Sequence, residues 1–182
     1  MFKIIAFAGS LRKGSFNKAL LRAAVELAPA EMEISIFDLE GIPLFNTDLE
    51  KEGDPERVIK FKEQIRKSDG VLIASPEYNH GMTGITKNAI DWASRPGNDA
   101  PLNGKAVGVM GASPGSTGTA RSQDQLRQSL KSINALCMAK PEMLVSRAHQ
   151  KFNEKGELTD DGTQKYLIKY LDSFANWIKK FQ

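Results

Sequence analysis

The chain has a single cysteine, Cys137, among 182 residues. No intramolecular disulfide can form, and a lone thiol suits a reducing compartment, which points to the cytoplasm. Histidine is almost as scarce: His80 and His149 lie far apart, so no metal-ligand cluster is evident. Long hydrophobic runs are missing as well, because the apolar stretch Ile4 to Ala8 is too short for a membrane span or a signal peptide's hydrophobic region. It reads as a buried strand. Charge of one sign is never blocked together: 25 Lys and Arg mix with 22 Asp and Glu for a net +3. The sequence pI near 8.9 makes nucleic acid a nominal partner, and the even mixing argues against it. With 8 Pro, 15 Gly, 41% hydrophobic and 26% charged residues, the composition excludes disorder, collagen and coiled coil for the chain as a whole.

What is present is an ordinary core-forming chain. Its length fits one domain over residues 1–182. A fold of this mass keeps about 8,700 Å² exposed and buries roughly 70% of its unfolded surface, so it needs no metal or disulfide staple. Short β-rich runs alternate with helical patterns throughout, with no repeat or linker between them. That alternation predicts a parallel sheet with crossover helices. The expected strands are Lys3 to Ala8, Glu33 to Leu39, Val71 to Ser75, Ala106 to Gly111 and Met143 to Val145.

Helical periodicity joins them. Phe16, Leu20, Ala24 and Leu27 form one stripe, ending near Pro29. Asp54 and Pro55 read as N-cap and first residue of a helix carrying Val58, Phe61 and Ile65. Further stripes are Ile85, Ala89 and Trp92, then Leu126, Leu130 and Ile133. The last helix starts after Thr159, with Asp160 and Asp161 favourable to its dipole and Lys179 and Lys180 at its far end. Its stripe is Leu167, Tyr170, Phe174, Trp177 and Phe181. The Trp and Tyr residues read as core or subunit contacts.

In an open parallel sheet, ligands sit outside the carboxyl ends of the strands. Three such loops are polar and glycine-rich: Gly9 to Asn17, Ser75 to Thr86 and Gly111 to Thr119. With strand order 2-1-3-4-5 they share one edge. The loop holding Ile42, Pro43, Leu44 and Phe45 is more apolar, and reads as a lid or a subunit contact.

The first loop holds two serines, an asparagine, an arginine and a lysine before a helix, an inventory that suits a phosphate. Capping of the helix by Ser15 or Asn17 is the plainer alternative. The Gly-x-Gly-x-x-Gly fingerprint fails because Leu11 stands where its second glycine belongs. A Walker loop fails because Ser15 and Phe16 follow Gly14 in place of Lys and Ser or Thr. The third loop matches Gly-x-Ser-x-Gly at Gly111 to Gly115, with His149 and Glu142 or Asp124 as triad partners. Against a hydrolase, the residue after Ser113 is Pro114, which lacks the N–H an oxyanion hole needs. The second loop, Ser75 to Gly81, sets Tyr78 among polar and chain-turning residues. That suits a flat heteroaromatic ligand, with a Pro-initiated surface turn as the alternative.

Four segments in order carry a resemblance: Gly9-Ser10-Leu11-Arg12 with Ser15 and Asn17, Pro76-Glu77-Tyr78-Asn79, Lys87-Asn88-Ala89-Ile90-Asp91-Trp92, and Gly111-Ala112-Ser113-Pro114-Gly115 with Gly118. Over most of its length the chain resembles the NADPH-dependent FMN reductase family, flavodoxin-like proteins that include quinone, chromate and azo-dye reductases. The resemblance implies a doubly wound five-stranded sheet in three layers and a flavoprotein oxidoreductase. It implies that Ser10, Arg12, Ser15 and Asn17 hold the FMN phosphate, with Phe16 beside them. Pro76, Glu77, Tyr78 and Asn79 wrap the isoalloxazine, and Ser113 lies near the flavin.

NADPH or NADH is the implied donor, drawn by Arg12, Lys13, Arg95 or Arg121, and no catalytic acid or base is required. The acceptors are small molecules. A homodimer or homotetramer is implied, through the helix bearing Trp92 and the loop around Phe45. Gly81, Thr83 and Thr86 depart from the Ser, Pro and Leu frequent in the family, which predicts a more mobile start to the following helix. A flavodoxin-like electron carrier, without direct nicotinamide reactivity, is the alternative function.

Overall fold

In the computed structural model, residues 1–182 are described apart from the side chain of Asn98. The chain runs β1 (Phe2–Ala8), α1 (Phe16–Glu26), β2 (Met32–Ile36), α2 (Thr47–Glu52), α3 (Glu56–Lys67), β3 (Gly70–Ala74), β4 (Glu77–Tyr78), β5 (Gly81–Met82), α4 (Gly84–Ala93), β6 (Ala106–Ala112), α5 (Ala120–Ser132), β7 (Leu136–Cys137), β8 (Met143–Val145) and α6 (Asp161–Lys179). All pairing in the main sheet is parallel, in the order β2-β1-β3-β6, with β7 and β8 both beside β6.

Alternation along the strands sorts the core into two halves. Ile4, Ala6, Ala8, Leu72 and Met110 face α1 and α6. Ile5, Phe7, Val71, Ile73, Val107 and Val109 face α3, α4 and α5. The result is the expected three-layer α/β sandwich of flavodoxin-like form.

Four local expectations are corrected. The last sheet position is shared: β7 pairs with Ala106 and Val107, and β8 with Met110 to Ala112. Two residues in β7 are too few for a periodic signal. The second strand ends at Ile36, although Phe37 N–H still donates to Ala6 O. Helix α2 was not expected, because none of its residues is buried and no apolar stripe marks it. Pro55, not Asp54, stands at the N-cap of α3 and makes no side-chain cap bond. Proline steers the residue before it out of helical geometry. Asp54 instead pairs with the buried Lys62, Oδ2 to Nζ 2.5 Å.

Register brings the three polar loops together. Ala8 lies beside Ala74, and Ala74 beside Met110. Gly9 N–H donates to Ala74 O and Ser75 N–H to Met110 O, each at 2.9 Å. The three loops therefore leave the sheet side by side.

Candidate functional site: an anion-binding cleft with an aromatic wall

Every candidate except Asn79 lines one open cleft at this edge: Ser10, Arg12, Ser15, Phe16, Asn17, Pro76, Glu77, Tyr78 and Ser113, joined by Ala112 and Pro114. It encloses about 540 Å³, including the space at its mouth.

The first loop supplies unmet donors. Ser10 and Ser15 are buried, and each hydroxyl oxygen accepts a backbone N–H, from Arg12 and Lys18 respectively. Neither hydroxyl hydrogen has an acceptor among the described residues. The first-turn N–H groups of Phe16 and Asn17 also find no acceptor there, as a helix start requires unless a ligand or solvent supplies one. Arg12 is exposed and donates to Gly14 O at 2.7 Å, which folds its guanidinium back over the loop. Ser15 is also the N-cap of α1, so its capping and cleft roles coexist.

Asn17 plays a different part from the one expected. Its Nδ2 donates to Ala112 O and its Oδ1 accepts Ala112 N–H, both at 2.9 Å. The amide thus clamps the first loop to the third, and the Asn17 backbone N–H has no acceptor among the described residues. Glu77 also turns inward. Its Oε2 accepts N–H from Arg121 at 3.1 Å and Ser122 at 3.3 Å, and Oε1 meets Arg121 Nη1 at 3.4 Å. Thr119, the N-cap of α5, is left-handed and makes no side-chain cap bond, so Glu77 caps that helix from another loop.

Asn79 and His80 have φ of 51° and 64° and form the two-residue turn between β4 and β5. Positive φ at both central positions is the primed hairpin turn. Asn79 is therefore a turn former at the hairpin tip, outside the residues that line the cleft. Tyr78, two-fifths buried and three-fifths open, forms the aromatic wall of the cleft beside Pro76.

The start of α4, expected to be more mobile for want of a proline, is bonded through Thr83. Thr83 is buried, caps α4 by accepting Thr86 N–H at 3.2 Å, and donates its hydroxyl to Gly9 O at 2.7 Å. Sequence reasoning had only the missing proline to go on. The hydroxyls of Ser75 and Ser122, which back the second loop, carried no motif and were missed.

Ser113 has no triad. Its Oγ accepts Gly115 N–H at 3.1 Å, and His149 is an exposed side chain without a bond to it. Arg95 is held by Glu50 through contacts of 3.0 to 3.2 Å, so it is not a free cation for a nicotinamide phosphate. Trp92 is fully buried, with Nε1 donating to Pro43 O at 2.8 Å, and cannot itself be a subunit contact. Cys137 lies outside the cleft in β7, where burial pushes its thiol pKa up against the opposing pull of Arg127. No helix is long and apolar enough to cross a membrane. Among the described residues no group of three or more His, Cys, Asp or Glu could hold a metal.

Residues 2–150 match the NADPH-dependent FMN reductase family. The chain belongs to that family. Among its relatives, an NAD(P)H-dependent FMN reductase of Pseudomonas aeruginosa is 43% identical over 99% of this chain and 97% of that one. A quinone reductase of Escherichia coli K12 is 41% identical over 98% and 96%. Among solved structures, FerB, a flavoenzyme NAD(P)H:(acceptor) oxidoreductase from Paracoccus denitrificans, superposes with a TM-score of 0.91. It is 35% identical and covers 100% of this chain and 99% of its own. As an FMN reductase family member with flavodoxin-like architecture, the chain brings the family's loops to one cleft.

Proposed function

We propose that the protein is an FMN-dependent NAD(P)H oxidoreductase that delivers electrons to small-molecule acceptors, quinones first among them. The observation that carries this reading is the cleft's division of labour. Buried Ser10 and Ser15 hydroxyls without acceptors, first-turn N–H groups and Arg12 come from the first loop, and Pro76 and Tyr78 from the second, into one cleft. A phosphate wants the first set, and a flat ring wants the second. The donor set is neutral apart from Arg12, and the one carboxylate at the cleft, Glu77, is already engaged by α5. The residues therefore fit FMN.

When bound, FMN would supply the redox chemistry that links a nicotinamide donor to a small-molecule acceptor. The protein's share is to bind and orient. Ser10, Arg12 and Ser15 hold the phosphate, the Asn17 clamp fixes the first loop against Ala112, and Tyr78 and Pro76 flank the ring. Ser113 lines the same wall. Arg12 and Lys13 remain as the cations that draw NADPH or NADH to the opening, since Arg95 is tied to Glu50 and Arg121 to Glu77. Chromate and azo compounds belong to the same acceptor class, because an open cleft selects by reach more than by shape.

In the same reading the protein is cytoplasmic, supported by its lone thiol. It assembles as a homodimer or homotetramer, supported by Leu44, 77% exposed in the apolar Pro43 to Phe45 loop. An electron carrier without nicotinamide reactivity finds no support among the relatives, which are named as reductases.

The test is turnover. FMN-loaded protein should oxidise NADPH steadily when benzoquinone is supplied, and protein stripped of flavin should not. Equal slow rates from both would refute the reading.

A further inference from the structure

Behind the cleft wall lie four buried hydroxyls, those of Ser75, Thr83, Thr86 and Ser122. They form one chain. Thr83 Oγ1 donates to Gly9 O at 2.7 Å and lies 2.9 Å from Thr86 Oγ1. Thr86 Oγ1 is 3.3 Å from Ser75 Oγ, which is 3.0 Å from Ser122 Oγ. Ser122 Oγ donates to Pro76 O at 2.7 Å.

A hydroxyl has one hydrogen, and a carbonyl can only accept. The hydrogens of Thr83 and Ser122 are therefore committed to Gly9 O and Pro76 O, at opposite ends. Thr86 must then donate to Thr83, and Ser75 has one hydrogen to offer Thr86, Ser122 or Pro76 O, the last 3.2 Å from its Oγ. The two ends are thus fixed, and the arm from Gly9 O through Thr83 and Thr86 reaches the ring loop when Ser75, whose backbone leads into Pro76, donates to Thr86. Its packing is close, since a Cβ on Gly9 would overlap Thr86 Oγ1.

The two anchored carbonyls sit at telling places. Gly9 immediately precedes Ser10, where the donor loop begins, and Pro76 stands in the aromatic wall beside Tyr78. We propose that Thr83 and Thr86 are positioning residues for the flavin. Through the buried hydroxyl chain they hold the phosphate loop and the ring loop in one register, so that a single ligand meets both at once. This rests on the FMN reading above. Neither threonine lines the cleft, so both act through Gly9 and Ser75, not by contact with the ligand.

Comparing FMN with riboflavin, which has the ring but no phosphate, separates positioning from general damage. Thr83→Val removes the donor to Gly9 O, Thr83→Ser keeps it, and Thr86→Val breaks the link to Ser75 while leaving the Gly9 bond. In fluorescence titrations, Thr83→Val should weaken FMN about tenfold and riboflavin less than about twofold, a selective loss of one hydrogen-bonded register. Thr83→Ser should restore FMN binding to within about twofold of wild type, and Thr86→Val should lose about threefold for FMN alone. Should Thr83→Val fail to fold for want of its cap, Thr86→Val decides. Equal weakening of both flavins, or unchanged FMN affinity in the valine variants, overturns the proposal while the FMN reading stands. A wild-type protein that binds no FMN overturns both.

Discussion

Two of the places where the molecule buries polar groups are treated in opposite ways. Between α3 and α4 they are charged and closed. Lys62 pairs with Asp54 and lies 5.5 Å over the Trp92 ring, and Trp92 and Asn88 both donate to Pro43 O at 2.8 and 2.9 Å. Phe45 completes the group, its ring 5.0 Å from Trp92 and its N–H on Asn88 Oδ1. At the cleft they are neutral hydroxyls and amides, and the outermost hydrogens point at nothing in the chain. A closed set stabilises the fold; an open set is arranged for something that is not the fold. The difference predicts which mutations move the melting temperature and which move ligand affinity.

The largest effect belongs to the closed region. Trp92→Ala removes a fully buried ring and a hydrogen bond, and should cost about 4 kcal/mol, on the order of 10 °C in Tm by calorimetry. Folded molecules should keep their FMN affinity. A large affinity loss at unchanged Tm would break the comparison. Asn17→Ala lies on the boundary, because its amide makes two buried bonds to Ala112 and its loop faces the cleft. It should lower both quantities, by about 2 kcal/mol in stability and by a measurable weakening of FMN in the same titration. Arg12→Ala belongs wholly to the open region. It should weaken FMN by about tenfold or more and leave Tm within about a degree, since an exposed cation contributes little to the fold.

The smallest effect lies far from both. Asp160 caps α6, and hydrogen bonds from Thr163 hold its carboxyl below the usual 3.8. A lowered folded-state pKa gives stability that is present above the unfolded value and lost as pH falls through the folded one. A slight drop in Tm below pH 4 should therefore vanish in Asp160→Asn. FMN affinity should not follow it.

Much of the fold was legible because burial and periodicity coincide. Ile4 to Ala8 is an unbroken apolar strand buried on both faces, and Leu167, Tyr170 and Phe174 make a helix stripe that the core uses. The elements that escaped lack that signal: β7 is two residues long, and α2 buries nothing. At the site, loop position was legible: Ser10, Arg12, Ser15 and Tyr78 line one cleft at the carboxyl edge of the sheet. What the residues do for one another was not legible. Asn17 reads as a phosphate donor until Ala112 is seen 95 positions away accepting and donating to the same amide. Glu77 reads as a ring contact, and nothing in its own loop announces that its carboxylate also caps α5. Thr83 marks a missing proline in sequence and a buried tether in space, because its acceptor, Gly9 O, lies 74 positions back.

The central claim is that this cleft makes bound FMN reducible by a nicotinamide. The direct measurement is an anaerobic titration of the FMN-loaded protein with NADPH, with flavin colour recorded against equivalents added. The account predicts that the yellow bleaches as about one NADPH is added per flavin, by transfer of a two-electron hydride. Flavin that stays bound and stays yellow through excess NADPH and excess NADH would contradict it.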